Sequence, residues 1–141
     1  MKAKVLYHSK SGNTAKVAEA MAKATGQATE AIPPAYPLEN VDILFLGAGI
    51  RMGKVDKKME EFIRTLTPQR VKNIALFSTA GSPEGAVPAI KKLLEGKGIN
   101  VLEESFVCKG KWFIFMDRNH PSRDDLDKAT SFAKKMMEKD K

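Results

Sequence analysis

The chain has 141 residues, a length typical of one compact domain that buries roughly two thirds of its unfolded surface. Hydrophobic residues at 43% and charged residues at 29% are close to globular averages, which argues against a disordered, collagen-like or membrane-embedded chain. The net charge of +7 favours anionic partners, but the lysines form no dense block, and ordinary solvated faces account for most of them.

Three further features limit where the protein is expected in the cell and which chemistry it can perform. The longest nearly unbroken apolar stretch, 43–50, is far shorter than the ~18 residues that a membrane-spanning helix needs. The first residues show no long apolar run and no small-residue cleavage site, so we expect no secretion signal and a cytoplasmic protein. Cys108 is the single cysteine and has no partners at metal-ligand spacing, so we predict no metal site, and redox chemistry would need a bound cofactor.

The first half of the chain alternates between short apolar strands and an amphipathic helix. A strand is predicted over 3–8, and a helix follows from Asn13 to a stop at Gly26. A weaker strand covers 27–32, before prolines that prevent a regular helix. The run 41–47 is nearly all apolar, as expected of a central parallel strand covered on both faces.

The second half continues the alternation. Apolar residues at helical spacing predict a helix within 55–66, and a buried strand follows over 74–79. A third helix begins near Gly85, with a proline in its first turn. The strand over 99–108 carries two adjacent glutamates, which indicate an edge position or a strand that is only partly covered. The last helix begins after its predicted cap Ser122.

This order of elements predicts a single α/β domain over residues 1–141. Five strands with intervening helices favour a doubly wound parallel sheet with helices on both faces. In such sheets ligands bind outside the carboxyl ends of the strands, where the winding direction switches. We therefore expect the functional site in the loops that follow the first, third and fourth strands along the chain.

The first of these loops has the composition of a phosphate site. Its residues are Ser9, Lys10, Ser11, Gly12, Asn13 and Thr14. They place hydroxyls, an amide and a glycine at a helix N-terminus, whose N–H groups attract anions. The loop lacks the GxxxxGK[ST] and GxGxxG patterns, so a monophosphate fits best. Simple capping of the helix is an equal alternative, because serine, threonine and asparagine are the commonest caps.

The run KVLYHSKSGNTAKVAEAMA resembles the start of flavodoxins. Their phosphate loop follows the pattern [ST]-x-[ST]-G-x-T, which Ser9, Ser11, Gly12 and Thr14 match. The similarity extends over the whole chain, through VDILFLGAGI and FVCKGK to the final helix in HPSRDDLDKATSFAKKM. The resemblance implies the strand order 2-1-3-4-5 and non-covalently bound flavin mononucleotide, FMN.

The resemblance also implies that two later loops, Gly47 to Gly53 and Thr79 to Gly85, hold the isoalloxazine ring of the flavin. Flavodoxins usually stack Trp or Tyr on this ring, and neither loop contains one, so Ile50 and Met52 are candidate replacements. Trp112 is another candidate, although packing is the commoner role of a tryptophan. The predicted ring-binding residues are Ala48, Gly49, Ile50, Arg51, Met52, Gly53, Thr79, Ala80, Gly81, Ser82, Gly85 and Trp112.

The function implied by the resemblance is electron transfer between protein partners, with no catalytic residue assigned. Many flavodoxins are acidic and this chain is basic, so we expect partners with acidic surfaces. The first alternative is an FMN-dependent reductase using a nicotinamide or a quinone, for which the chain offers little spare length. The second is a cofactor-free binding module, but the sequence lacks the aromatic-and-basic motif typical of RNA recognition.

Overall fold

The structure is a computed structural model that describes residues 2–8, 12–49, 55–79, 85–108 and 123–139. Strands and helices alternate along these residues. The strands are β1 (Ala3–His8), β2 (Thr29–Ala31), β3 (Val41–Gly49), β4 (Val71–Thr79) and β5 (Asn100–Cys108). The helices are α1 (Asn13–Thr25), α2 (Lys57–Arg64), α3 (Val87–Leu94) and α4 (Arg123–Lys139).

The strands form one parallel sheet in the order β2-β1-β3-β4-β5, as predicted. At the carboxyl ends of the three central strands, His8 of β1 pairs with Ala48 of β3, and Gly49 of β3 pairs with Thr79 of β4. Since all strands run in the same direction, these ends meet at one edge of the sheet. The edge position predicted for β5 is confirmed, because β5 is the last strand in the order and pairs with β4 on one side.

Helices cover both faces of the sheet and create two apolar layers. Phe45 and Phe77 pack in the layer with α1 and α4. Leu44, Leu46 and Leu76 point to the opposite face and pack in the layer with α2 and α3. The side chains of a strand alternate between faces, so a strand buried in two layers must be apolar at every position. This confirms the prediction that β3 is a central strand.

Two strands are longer than the apolar pattern predicts. β3 continues from Gly47 to Gly49, and β4 begins at Val71 rather than at Ile74. The added end of β3 is paired, with Gly49 opposite Thr79. Backbone pairing to a neighbouring strand, which hydropathy does not reveal, therefore sets these limits.

The helix boundaries follow the predicted signals. α1 ends at Gly26, whose φ of 73° is the left-handed conformation that glycine adopts without strain. Pro88 lies in the first turn of α3. Ala129, Ala133 and Met136 form the buried face of α4, and the predicted cap Ser122 lies outside the described residues. In the described part of the chain, no helix is long and apolar enough to cross a membrane.

Candidate functional site

The candidate site lies at the edge of the sheet where β1, β3 and β4 end and α1 begins. The predicted site residues that the structure describes are Gly12, Asn13, Thr14, Ala48, Gly49, Thr79 and Gly85. Those that lie outside the described residues are Ser9, Lys10, Ser11, Ile50, Arg51, Met52, Gly53, Ala80, Gly81, Ser82 and Trp112.

The N-cap of α1 is Gly12, which has a φ of 85° and no side chain with which to cap the helix. A Cβ built on Gly12 would meet nothing within 4 Å, so the backbone conformation, and not crowding, requires glycine here. The first turn of α1 also contains no acidic residue, whereas α2 has Asp56 as its cap and Glu60 in its first turn. The first turn of α1 therefore places no carboxylate beside the positive end of the helix dipole. This arrangement favours the binding of an anion.

Thr14 does not cap α1. Its Oγ1 lies 2.7 Å from Oγ1 of Thr79, and the two side chains are almost completely buried. A Cβ built on Gly49 would lie 3.6 Å from Oγ1 of Thr14 and 3.8 Å from Oγ1 of Thr79. The structure thus brings together the first turn of α1 and the last residues of β3 and β4.

Ser78 is a site residue that the sequence analysis missed. Its fully buried Oγ donates to the carbonyl of Ala48 at 2.7 Å and accepts from the N–H of Ala86 at 2.9 Å. These bonds connect the end of β3 to the residues just after the segment 80–84. The available signal was a hydroxyl directly after the apolar run 74–77, since a buried hydroxyl needs partners.

His8 has an acidic partner that the sequence did not indicate. Its Nε2 lies 3.3 Å from Oδ2 of Asp56, and the contact is ionic when the imidazole is protonated. This buried nitrogen makes no hydrogen bond within the described residues, so the two groups are close without being aligned. The other carboxylate oxygen of Asp56 accepts from the N–H of Lys58 and caps α2. Because His8 precedes 9–11 and Asp56 follows 50–54, the pair joins the ends of two predicted cofactor loops.

Gly47 has a different role from the one expected. It lies inside β3, and a Cβ built on it would overlap the ring of Phe77. Packing against Phe77 therefore requires this glycine. The strand predicted to end at Gly47 continues to Gly49, whereas β4 ends at Thr79, as predicted.

Cys108 is buried at the end of β5. Desolvation, with a smaller contribution from the Asp125 carboxylate, raises the pKa of its thiol to about 12. The thiol is therefore not a nucleophile near neutral pH. Within the described ranges, no cluster of His, Cys, Asp and Glu side chains is placed to hold a metal ion.

Comparisons with known proteins agree with this architecture. A family model described as Flavodoxin domain matches residues 4–114. An uncharacterized protein of Methanocaldococcus jannaschii is 35% identical, over 97% of this chain and 99% of its own. The flavodoxin-like domain-containing protein BilS of Clostridioides difficile is 28% identical, over 97% of each chain. The solved structure of a flavodoxin from the domain Archaea has a TM-score of 0.76 at 22% identity, and the match covers 99% of both chains.

Proposed function

Because the chain belongs to the flavodoxin domain family, which supports a flavin-binding redox function, we propose that it binds FMN non-covalently and carries electrons between protein partners. The observation that carries this proposal is the convergence of Gly12, Thr14, Gly49 and Thr79 at the carboxyl edge of the sheet. This is the edge at which open α/β sheets bind ligands.

The N-terminus of α1 would hold the phosphate of FMN. Gly12 allows the backbone to approach a ligand closely, and the first turn of α1 adds its dipole and the hydroxyl of Thr14. Ser9 and Ser11 complete the donor set by their match to the family pattern. This combination of neutral donors and a helix dipole suits a single phosphate group.

The end of β3 and the residues that follow β4 would hold the flavin ring. Ala48 and Gly49 end β3 with little or no side chain, which lets a flat ring come close to the backbone. Ser78 holds the residues just after the segment 80–84 through its bond to Ala86. When bound, the flavin supplies the redox chemistry, and the protein supplies binding, orientation and electrostatics.

The charge of the chain supports a partner with an acidic surface. The net charge is +7, and Lys57 and Lys58 are exposed in the first turn of α2, beside the proposed site. Long-range attraction between a basic and an acidic face accelerates association and is screened by salt. We therefore expect electron transfer to a partner to slow as the ionic strength rises.

Two glycine variants test the cofactor assignment. Gly12 and Gly26 lie at opposite ends of α1, both have positive φ, and both have open space around a built Cβ. Gly12→Ala and Gly26→Ala should therefore lose similar amounts of stability, roughly 1 kcal/mol each. Only Gly12→Ala should also weaken FMN binding, because only Gly12 lies at the proposed phosphate site. Equal FMN affinity in the two variants would refute the assignment.

A second assay separates a carrier from a reductase. The FMN-loaded protein is mixed with NADH or NADPH and a soluble quinone, and oxidation of the nicotinamide is followed by absorbance. A carrier shows no sustained turnover until a separate reductase is added. Turnover by the purified protein alone would favour the flavin-dependent reductase.

A further inference from the structure

Thr79 belongs, by family resemblance, to a loop that contacts the flavin ring, but its geometry connects it to the phosphate end. It is the last residue of β4, its side chain is buried, and its Oγ1 lies 2.7 Å from Oγ1 of Thr14. Thr14 stands in the first turn of α1, two residues after the N-cap Gly12. The hydroxyl of Thr79 therefore bonds to a side chain of the proposed phosphate site.

Burial restricts the hydrogen bonds that the hydroxyls of Thr14 and Thr79 can make. Thr14 is 1% exposed and Thr79 is 6% exposed, so bulk water does not compete freely for their hydrogen bonds. Gly49 lies beside both hydroxyls without a side chain to separate them. A buried hydroxyl that lost its partner would be costly, so each threonine fixes the orientation of the other.

The chemistry of the pair sets the direction of its hydrogen bond when an anion is present. Each hydroxyl has one proton to donate and two lone pairs that accept. If Thr79 donates to Thr14, the proton of Thr14 is left to donate to a phosphate oxygen. If Thr14 donated to Thr79, that proton would be lost to the ligand. A bound phosphate therefore favours donation from Thr79 to Thr14.

We propose that Thr79 is a positioning residue for the phosphate of FMN, acting through the hydroxyl of Thr14. This inference rests on the proposed function. It differs from the role that family resemblance gives Thr79, since it predicts an effect on recognition of the phosphate and none on the ring.

The test compares FMN with riboflavin, which has the same ring and no phosphate. The dissociation constants of both are measured for the wild type and for Thr79→Val, Thr79→Ser and Thr29→Val. The control residue Thr29 donates its hydroxyl to the carbonyl of Val5, in β1, and valine suits its strand position. Urea unfolding of each apoprotein shows whether the variant folds.

The expected result is that Thr79→Val weakens FMN binding about tenfold and changes riboflavin binding less than twofold. Thr79→Ser keeps the hydroxyl and should retain most of the FMN affinity, as should Thr29→Val. Equal losses for FMN and riboflavin would place Thr79 at the ring and overturn the inference. Unchanged FMN affinity in Thr79→Val would also overturn it while leaving the proposed function intact.

A double-mutant cycle on FMN alone provides the second measurement. If Thr79 acts through Thr14, adding Thr79→Val to Thr14→Val causes no further loss of FMN affinity. Additive losses would show that the two hydroxyls act independently, which contradicts the inference. If the folded wild type binds no FMN, the proposed function fails and this inference fails with it.

Discussion

The ring of Phe77 fills the space that a side chain at Gly47 would need. The two residues are direct partners across β3 and β4, and Phe77 is fully buried in the layer beneath α1 and α4. A Cβ built on Gly47 overlaps this ring. The glycine that begins the GAG sequence at the end of β3 is therefore fixed by packing, whereas Gly49 lies beside Thr14 and Thr79 of the candidate site.

Gly47→Ala should destabilise the fold by about 1–3 kcal/mol, because the methyl group forces the Phe77 ring out of its place. Urea unfolding measures this loss. Gly49→Ala is the matched control in the same strand, since a Cβ there makes ordinary contacts of 3.6 Å or more. Combining Gly47→Ala with Phe77→Leu should recover part of the stability. An equal effect of the two glycine substitutions would contradict the packing argument.

Ser78→Ala should cost about 1–3 kcal/mol, because it leaves the N–H of Ala86 and the carbonyl of Ala48 without this partner in a buried place. Hydrogen exchange at the amide of Ala86 should become faster in the variant. Ser105→Ala, on the exposed side of β5, serves as the control and should leave the stability within about 0.5 kcal/mol. Unchanged exchange at Ala86 would show that the bond to Ser78 does not hold this residue.

Cys108 should resist alkylation in the folded protein. With a pKa of about 12, its thiol forms roughly a thousandfold less thiolate at pH 8 than an ordinary cysteine does, and burial blocks access further. The rate with iodoacetamide is measured by mass spectrometry, and the urea-unfolded chain is the control that reacts at the ordinary rate. Similar rates for the folded and unfolded chains would show that the thiol is neither buried nor perturbed.

Much of the fold could be predicted from the sequence, because local signals decide it. The apolar run of β3 indicated burial on both faces, and Gly26 indicated the end of α1. Glu103 and Glu104 placed β5 at an edge of the sheet. Each of these features depends on hydropathy, on backbone conformation or on charge within a few residues, and such information is present in the chain itself.

The contacts within the site could not be predicted, because they depend on the register between distant strands. The composition of the first loop indicated Thr14, but nothing in the sequence indicated that Thr79 would lie 2.7 Å from it. The same holds for His8 and Asp56, which meet only because β1 and β3 are neighbours in the sheet. Family resemblance assigned Thr79 to the flavin ring, whereas its hydrogen bond leads to the first turn of α1.

The most direct test of the central claim is a titration of the purified protein with FMN, followed by visible absorption. We predict a perturbed flavin spectrum that saturates at one FMN per chain, and affinity that falls in Gly12→Ala but not in Gly26→Ala. A flavin spectrum that stays the same as that of free FMN at every protein concentration, with the chain folded by circular dichroism, would contradict the account. Gly12 would then serve only the start of α1, and the hydroxyl of Thr14 only its contact with Thr79.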